Sequence, residues 1–170
     1  MPDRVKQAIF DILGCWYGTP GALPALRTAD VFAGSGSMGL EAISRGAECC
    51  CFFERNREAL AALRENIASL SAETKSNVVA KDAWRFASGD PSGRAFDLVF
   101  LDPPYRESDD ASSDGKVFGY LQRLAGGIAP RPLVVLHHSS RVRFSVDARW
   151  GWSIIDERVI GSSAVTSFGP

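Results

Sequence analysis

The sequence predicts an α/β fold built on a mainly parallel sheet. Short apolar strands alternate with amphipathic helices along the chain, and a glycine-rich loop, Gly34 to Gly39, joins the first strand to the next helix. Strands that alternate with helices form parallel sheets that are covered on both faces. Two strand-like runs near the end of the chain have no helix between them, which predicts a hairpin with one antiparallel strand.

The predicted elements begin with a helix over residues 3–17, where apolar residues recur at three- and four-residue spacing and Asp3 is the expected N-cap. The segment 107–115 is polar and acidic and is predicted to be a mobile connection. The sheet core over residues 28–168 makes the whole chain, 1–170, one predicted domain. The remaining predictions are strands at 29–33, 49–53, 77–80, 96–101, 133–136, 153–160 and 164–168, and helices at 40–45, 56–70 and 117–124.

Composition limits the class of protein. The chain has 170 residues, 45% of them apolar, and a formal net charge of −1. A protein that holds nucleic acid by bulk electrostatics is expected to be strongly basic, so a local basic face or an additional segment must dock any RNA substrate. The candidates for phosphate contacts are Arg4, Lys6, Arg106, Arg123 and Arg131.

The sequence also favours a cytoplasmic protein. No apolar run is long enough to cross a bilayer, and the N-terminus does not resemble a secretory signal. Cys15 and the consecutive Cys49, Cys50 and Cys51 match neither a disulfide framework nor a metal motif. We therefore expect reduced cysteines and no membrane partner.

The glycine loop, Gly34-Ser35-Gly36-Ser37-Met38-Gly39, has the Gly-x-Gly-x-x-Gly spacing. Glycine allows a tight turn and lets a ligand approach the backbone. Glu54 ends the next predicted strand, 20 residues after Gly34, and a carboxylate there suits the hydroxyls of a ribose. The pair predicts an adenosine-containing cofactor and leaves open whether it is a dinucleotide or S-adenosylmethionine.

Asp82 follows the third predicted strand, and ligands of open sheets lie at the carboxyl ends of the strands. Its carboxylate is placed to accept a hydrogen bond from an adenine amino group, with Ala83 or Trp84 against the ring. Asp82 can equally be the N-cap of a helix that starts at Ala83, and the two roles are compatible.

The run Asp102-Pro103-Pro104-Tyr105 directly follows a strongly apolar predicted strand. Two prolines fix the backbone and remove two N–H donors, so the Asp102 carboxylate and the Pro103 carbonyl remain as acceptors. The amino group of a base is a poor nucleophile, because its lone pair is delocalised into the ring. Two acceptors that grip its N–H bonds can turn the lone pair toward a methyl donor, while Tyr105 stacks on the base. These four residues are the predicted catalytic residues of methyl transfer to an exocyclic amine.

Other chemistries fit less well. His137-His138 ends a predicted strand without further ligands at usable spacing, so structural or surface histidines are expected, and no metal. A nicotinamide-dependent oxidoreductase would use the same glycine loop, but it leaves the run from Asp102 to Tyr105 unexplained. A third alternative is a catalytically silent subunit that merely binds cofactor or RNA, and the intact Gly34, Glu54 and Asp102 argue against it.

The combined motifs resemble those of the bacterial 16S rRNA guanine-N2 methyltransferase family. The run from Asp30 to Ala47 is similar to the first motif of that family, and Asp3 to Phe10 is similar to its helix ahead of the sheet. Phe53 to Asn56 and Asp97 to Tyr105 resemble its second and fourth motifs, and Gly161 to Phe168 resembles its closing strand. The resemblance covers nearly the whole chain.

The resemblance implies a seven-stranded class I methyltransferase fold, which is Rossmann-like, with S-adenosylmethionine as cofactor. The implied target is a guanine N2 of 16S rRNA, in the RNA or in a 30S particle or assembly intermediate, and the protein is expected to be a monomer. The same chemistry leaves open another RNA base, adenine or cytosine in DNA, or a protein glutamine. The expected cofactor contacts are Asp30, Ala33, Gly34, Ser35, Gly36, Met38, Gly39, Glu54, Arg55, Asp82, Ala83 and Trp84.

Overall fold

The computed structural model describes residues 1–85, 93–112, 114–125, 132–146 and 151–169. Two short 3-10 helices, Glu73–Lys75 and Ala83–Arg85, flank the third strand. In chain order, the helices and strands are α1 (Asp3–Tyr17), β1 (Arg27–Val31), α2 (Ser37–Ser44), β2 (Cys49–Phe53), α3 (Arg57–Ser69), β3 (Ser76–Val79), β4 (Leu98–Leu101), α4 (Tyr105–Ser108), α5 (Lys116–Ala125), β5 (Leu133–Ser139), β6 (Ser153–Ile160) and β7 (Ser163–Gly169).

The strands form a seven-stranded mixed sheet in the order β3-β2-β1-β4-β5-β7-β6. The pairs β1–β2, β2–β3 and β4–β5 are parallel, whereas β7 is antiparallel to both β5 and β6. The predicted α/β fold with one antiparallel strand in a terminal hairpin is therefore confirmed.

The chain divides into two compact units, residues 1–86 and 87–170. The prediction of a single domain over residues 1–170 remains a prediction. In the first unit, α3 presents Leu60, Leu63 and Ile67 to the core at three- and four-residue spacing. The Asn56 side chain caps this helix by accepting the N–H groups of Glu58 and Ala59. The core cluster around α3 contains Ala33, Leu40, Cys50, Phe52, Leu60, Leu63, Ile67 and Ala72.

The second unit is built on buried strands. All four residues of β4 are buried, as are those of β7, and α5 buries one apolar face. Phe144 joins these elements, because its ring makes edge contacts with Phe118 of α5 and Phe168 of β7. The Trp152 indole N–H donates to the Leu121 carbonyl at 3.1 Å, which satisfies its polar atom in the core.

Several predicted boundaries were wrong. Asp3 is the first residue of α1 and Pro2 is its N-cap residue, without a side-chain cap. The helix after the glycine loop begins at Ser37 rather than residue 40, because Gly36 turns the chain with a φ of 86°. The segment predicted to be a mobile connection contributes its first two residues to α4. β5 continues to Ser139 rather than ending at 136, because its last residues pair with β7.

Candidate active site

The three glycines of the loop have different surroundings in the first unit. A Cβ added to Gly36 would lie 2.4 Å from a Leu63 methyl, and one added to Gly39 would lie 2.4 Å from the Phe52 ring. Nothing lies within 4 Å of the corresponding position at Gly34, where φ is +55°. Gly36 and Gly39 therefore permit close packing, whereas Gly34 borders the open space that a ligand needs.

Glu54 directly follows β2 and is hydrogen-bonded to the glycine loop. Its Oε2 accepts the N–H of Gly34 at 2.9 Å. Its Oε1 accepts the N–H groups of Arg55 at 2.7 Å and Asn56 at 2.8 Å. The carboxylate is thus oriented by three backbone donors beside the open space at Gly34.

Asp82, after β3, joins the same group of residues. Its Oδ2 pairs with the Arg55 guanidinium at 3.0 Å, and its Oδ1 accepts the Trp84 N–H at 3.1 Å. The predicted capping role is therefore present, on a 3-10 helix that begins at Ala83. The Trp84 ring contacts the Phe32 ring edge-on, with centroids 4.8 Å apart.

Phe32 is a residue that sequence reasoning did not single out. It follows β1 directly and has a φ of 67°, which is unusual for a bulky side chain and costs conformational energy. Its N–H and that of Ala33 both donate to the Phe53 carbonyl, which holds the strained turn in place. A positive φ at a non-glycine residue leaves no signal in the sequence, so this feature was not predictable.

The other expected cofactor residues have supporting positions. Asp30 is buried, and its Oδ2 accepts the Gly39 N–H at 2.8 Å, which anchors the first turn of α2. Ala33 and Met38 are also buried. Ser35 is exposed, and its carbonyl accepts a hydrogen bond from the Asn66 amide. Of these residues, Ser35 is the one whose side chain faces solvent.

The residues of the first unit fit an adenosine-containing cofactor. A carboxylate oxygen can accept more than one hydrogen bond, so Glu54 can hold ribose hydroxyls in addition to the backbone donors. The Asp82 carboxylate and the Trp84 ring supply an acceptor and an aromatic surface for adenine. Gly34 leaves room for the backbone to approach the cofactor.

The second unit carries the predicted catalytic run, where β4 ends. Asp102 follows the strand, Pro103 is buried, and Pro104 is the N-cap residue of α4. The Pro104 carbonyl accepts the N–H groups of Glu107 and Ser108, so it is committed to the helix. No hydrogen bond joins the Pro103 carbonyl to any residue that the structure describes. The Pro103 carbonyl therefore remains as a backbone acceptor in the residue after Asp102.

His137 is the main addition that the structure makes to this run. Its Nδ1 lies 2.7 Å from Asp102 Oδ1, and its side chain is 4% exposed. Its Nε2 lies 3.4 Å from the hydroxyl of Tyr105, and that hydroxyl lies 3.2 Å from Ser163 Oγ. The register of β4 and β5 pairs Leu101 with Leu136, which places the next residue of each strand side by side. This pairing was the signal that could have identified His137.

His138 has a different environment. Its Nδ1 donates to the Ser139 carbonyl at 3.0 Å, and its Nε2 lies 2.8 Å from the Thr166 hydroxyl. Burial lowers the pKa of His138, so the neutral ring is favoured. Both rings are buried, so of the two expected kinds, structural and surface histidines, the structure shows the structural one. Within the described ranges, no three His, Cys, Asp or Glu side chains are grouped to hold a metal ion, and the expectation of no metal stays a prediction.

The candidate phosphate contacts differ in their surroundings. Lys6 pairs with Asp3, and the Arg123 guanidinium lies over the Tyr120 ring. Arg106 and Lys116 line a cavity of about 340 Å³ together with Glu107 and Asp110. Lys116 is paired with Glu107 at 3.0 Å. Arg131 lies outside the described residues.

Comparison with known proteins shows which family these residues belong to. A family model described as Conserved hypothetical protein 95 matches residues 1–169. A ribosomal RNA small subunit methyltransferase D from Escherichia coli is 36% identical over 104 residues, which are 61% of this chain and 48% of that protein. YlbH of Bacillus subtilis, named as a candidate rRNA methyltransferase, is 36% identical over 106 residues, 62% of this chain and 54% of that protein. The chain thus spans about half the length of these curated relatives.

The fold comparison extends over nearly the whole chain. The structure of yhhF, a candidate methyltransferase from Escherichia coli, has 28% identity and a TM-score of 0.76. The match covers 98% of this chain and 85% of that one. This similarity confirms the α/β fold of class I methyltransferases. The chain therefore belongs to the family described as Conserved hypothetical protein 95, and the curated relatives that match it are named as ribosomal RNA methyltransferases.

Proposed function

We propose that this protein transfers a methyl group from S-adenosylmethionine to the exocyclic N2 of a guanine in 16S rRNA of the small ribosomal subunit. The names of the relatives support methylation of small-subunit rRNA. The observation that carries the chemistry is the contact of the Asp102 carboxylate with His137 directly after β4, where Pro103 is the next residue. The choice of guanine N2 rests on the motif resemblance.

S-adenosylmethionine supplies an electrophilic methyl group on a positively charged sulfur, which becomes a neutral thioether when the methyl leaves. The first unit provides residues to hold it. Glu54 would accept the ribose hydroxyls, and Asp82 would accept the adenine amino group beside Trp84. Gly34 would leave space for close backbone contact.

The second unit provides residues for the acceptor. The Asp102 carboxylate and the Pro103 carbonyl would each accept a hydrogen bond from one N–H of the amino group of the base. Tyr105 is 46% exposed, and its ring would stack on the base. A new N–C bond forms from the amine lone pair, so the amine must lose one proton. The Asp102 carboxylate would accept that proton.

The same arrangement could serve another RNA base, DNA adenine or cytosine, or a protein glutamine. We propose rRNA because the relatives are named for it, with either naked RNA or a 30S particle or assembly intermediate as the substrate. We further propose a cytoplasmic monomer that needs no metal. Within the described residues, none of the helices combines the length and the apolar character that a membrane span requires. Mass spectrometry of rRNA nucleosides from cells with and without the gene would identify the methylated base.

Replacing Asp102 by alanine is expected to abolish methyl transfer while S-adenosylmethionine still binds. Asp102 acts on the acceptor amine in the transition state, and losing one preorganised electrostatic partner costs about 100- to 1000-fold in rate. Single-turnover transfer of labelled methyl to 30S particles, alongside calorimetry with S-adenosylmethionine and NAD, measures both properties. Near-normal turnover would contradict amine activation, and binding of NAD instead would favour the oxidoreductase alternative.

Tyr105→Ala provides a graded comparison. A base–aromatic stack contributes roughly 1–3 kcal/mol, so this variant should lose less activity than Asp102→Ala. If Tyr105 only stacks on the base, Tyr105→Phe should retain nearly normal turnover.

A further inference from the structure

His137 forms part of a chain of polar groups behind the acceptor site. The chain runs from Ser163 Oγ to the Tyr105 hydroxyl at 3.2 Å, then to His137 Nε2 at 3.4 Å, and from His137 Nδ1 to Asp102 Oδ1 at 2.7 Å. The histidine and Ser163 are both buried. The rings of Tyr105 and His137 also contact each other edge-on, with centroids 5.5 Å apart. These four residues come from the segment after β4, from α4, from β5 and from β7.

The direction of the hydrogen bonds follows from the chemistry of the end groups. An ionised carboxylate only accepts, so the proton of a neutral imidazole must lie on Nδ1. Nε2 then carries the lone pair and accepts from the Tyr105 hydroxyl. The Tyr105 oxygen in turn accepts from the Ser163 hydroxyl. Every link of the chain is then satisfied, and each donor points toward Asp102.

We propose that His137 is a positioning residue for methyl transfer, which orients the Asp102 carboxylate through its Nδ1–H and is itself oriented by Tyr105 and Ser163. This inference rests on the proposed function. It assigns Tyr105 a second role, because its hydroxyl fixes the imidazole while its ring faces the base. The Asp102 carboxylate is therefore held directly by His137 of β5, which is connected through Tyr105 to Ser163 of β7.

His138 provides a matched control. It is the next residue of β5, it is equally buried, and consecutive strand residues point to opposite faces. Its ring contacts Ser139 and Thr166 rather than Asp102. The same substitution at either position should therefore disturb the core in a similar way, and only the change at His137 should affect Asp102.

The kinetic test compares His137→Leu, His137→Asn and His138→Leu. The amide of asparagine can replace the Nδ1 donor, whereas leucine cannot. We expect His137→Leu to lower kcat roughly 10- to 100-fold with unchanged affinity for S-adenosylmethionine, because a small misplacement of a catalytic group has a cost of this order. His137→Asn should recover most of the rate, and His138→Leu should leave turnover per folded molecule unchanged. Tyr105→Phe should lower kcat several-fold, because the hydroxyl that orients His137 is lost. If the Tyr105 ring only stacked on the base, kcat would stay nearly normal. Equal activity of the three histidine variants, or equal losses in His137→Leu and His137→Asn, would overturn the proposal.

Nuclear magnetic resonance of histidine labelled with ¹⁵N gives a second readout that needs neither RNA nor cofactor. We expect the His137 proton on Nδ1 in the unmodified protein and a shift toward Nε2 in Asp102→Ala, while His138 does not change. A His137 proton on Nε2 in the unmodified protein would overturn the proposal even if the enzyme is active. An unmodified protein that methylates no rRNA but shows the expected protonation would contradict the proposed function and leave the His137–Asp102 pairing established.

Discussion

The Glu54 side chain accepts several backbone hydrogen bonds at once. Three backbone N–H groups, from Gly34, Arg55 and Asn56, donate to its two carboxylate oxygens. These bonds fix the orientation of the carboxylate in the protein alone, so little side-chain entropy would be lost if it accepted the hydroxyls of a ribose. The same carboxylate connects the end of β2 to the loop after β1. Its loss should therefore affect cofactor binding more than folding.

Glu54→Ala is expected to weaken S-adenosylmethionine binding by about 1.5–3 kcal/mol, the range for hydrogen bonds to a charged group. Glu54→Gln is the matched control, since it keeps the size of the side chain but replaces one acceptor oxygen by a donor. We expect Glu54→Gln to lose affinity for S-adenosylmethionine as well, because the NH2 group of glutamine is a donor and would face a backbone N–H group, which is also a donor. Calorimetry measures affinity and thermal unfolding checks the fold. Unchanged affinity in Glu54→Ala would exclude the ribose role.

At the scale of elements, helix α2 is placed by glycines rather than by apolar side chains alone. The helix begins directly after Gly36, inside the loop, and Gly39 in its first turn lies against Phe52 and Cys50 of β2. Asp30 anchors the same turn by accepting the Gly39 N–H. This close approach keeps the loop next to the end of β2, where Glu54 follows. The packing of one helix therefore determines the geometry of the candidate cofactor site.

Gly39→Ala and Gly119→Ala should have opposite effects on stability. The added methyl at position 39 would lie 2.4 Å from the Phe52 ring, and overpacking of this kind costs about 1–3 kcal/mol. At Gly119, in α5, the closest atom would be 3.5 Å away, so alanine should stabilise the helix by about 0.5–1 kcal/mol. Denaturant unfolding of both variants measures the difference. A stable Gly39→Ala protein would contradict the packing role of this glycine.

The elements also show how far the sequence predicts the structure. The residue ranges of α1, β2 and β6 agree with the prediction, although the N-cap residue of α1 is Pro2 rather than Asp3. The end of β5 was missed, since residues 137–139 are strand only through their pairing with β7. The positions of Asp102 and Glu54 directly after strands could be predicted from the apolar runs before them, and the roles of both residues stay predictions. The contact of His137 with Asp102 depends on sheet register, and the strained φ of Phe32 depends on the turn around it. Neither is encoded by local sequence.

At the scale of the whole molecule, the chain consists of two compact units that can unfold either together or separately. Residues 1–86 hold the candidate cofactor residues, and residues 87–170 hold the candidate acceptor residues. Each unit has its own buried apolar residues. If the chain is one domain, as we propose, neither unit should unfold without the other.

Tryptophan fluorescence can test this, because each unit has a well-placed indole. Trp84 contacts Phe32 in the first unit, and Trp152 is 2% exposed in the second. Two variants keep only Trp84 or only Trp152, with the other tryptophans replaced by phenylalanine. In each variant, the midpoint from tryptophan fluorescence should coincide with the midpoint from circular dichroism of the whole chain. Coincident transitions indicate a single cooperative unit. Two separate midpoints would show that the chain folds as two domains.

The cysteines of this protein should differ in their reactivity toward oxygen and alkylating reagents. Cys50 and Cys51 are buried, and burial raises the pKa of the Cys50 thiol well above its usual value. The thiolate is the form that reacts with oxidants and alkylating reagents, so Cys50 is protected twice, by inaccessibility and by protonation. Cys15, in α1, is exposed to solvent. Storage without a reducing agent should therefore produce covalent dimers through Cys15, and this cysteine is also the natural position for attaching a fluorescent dye.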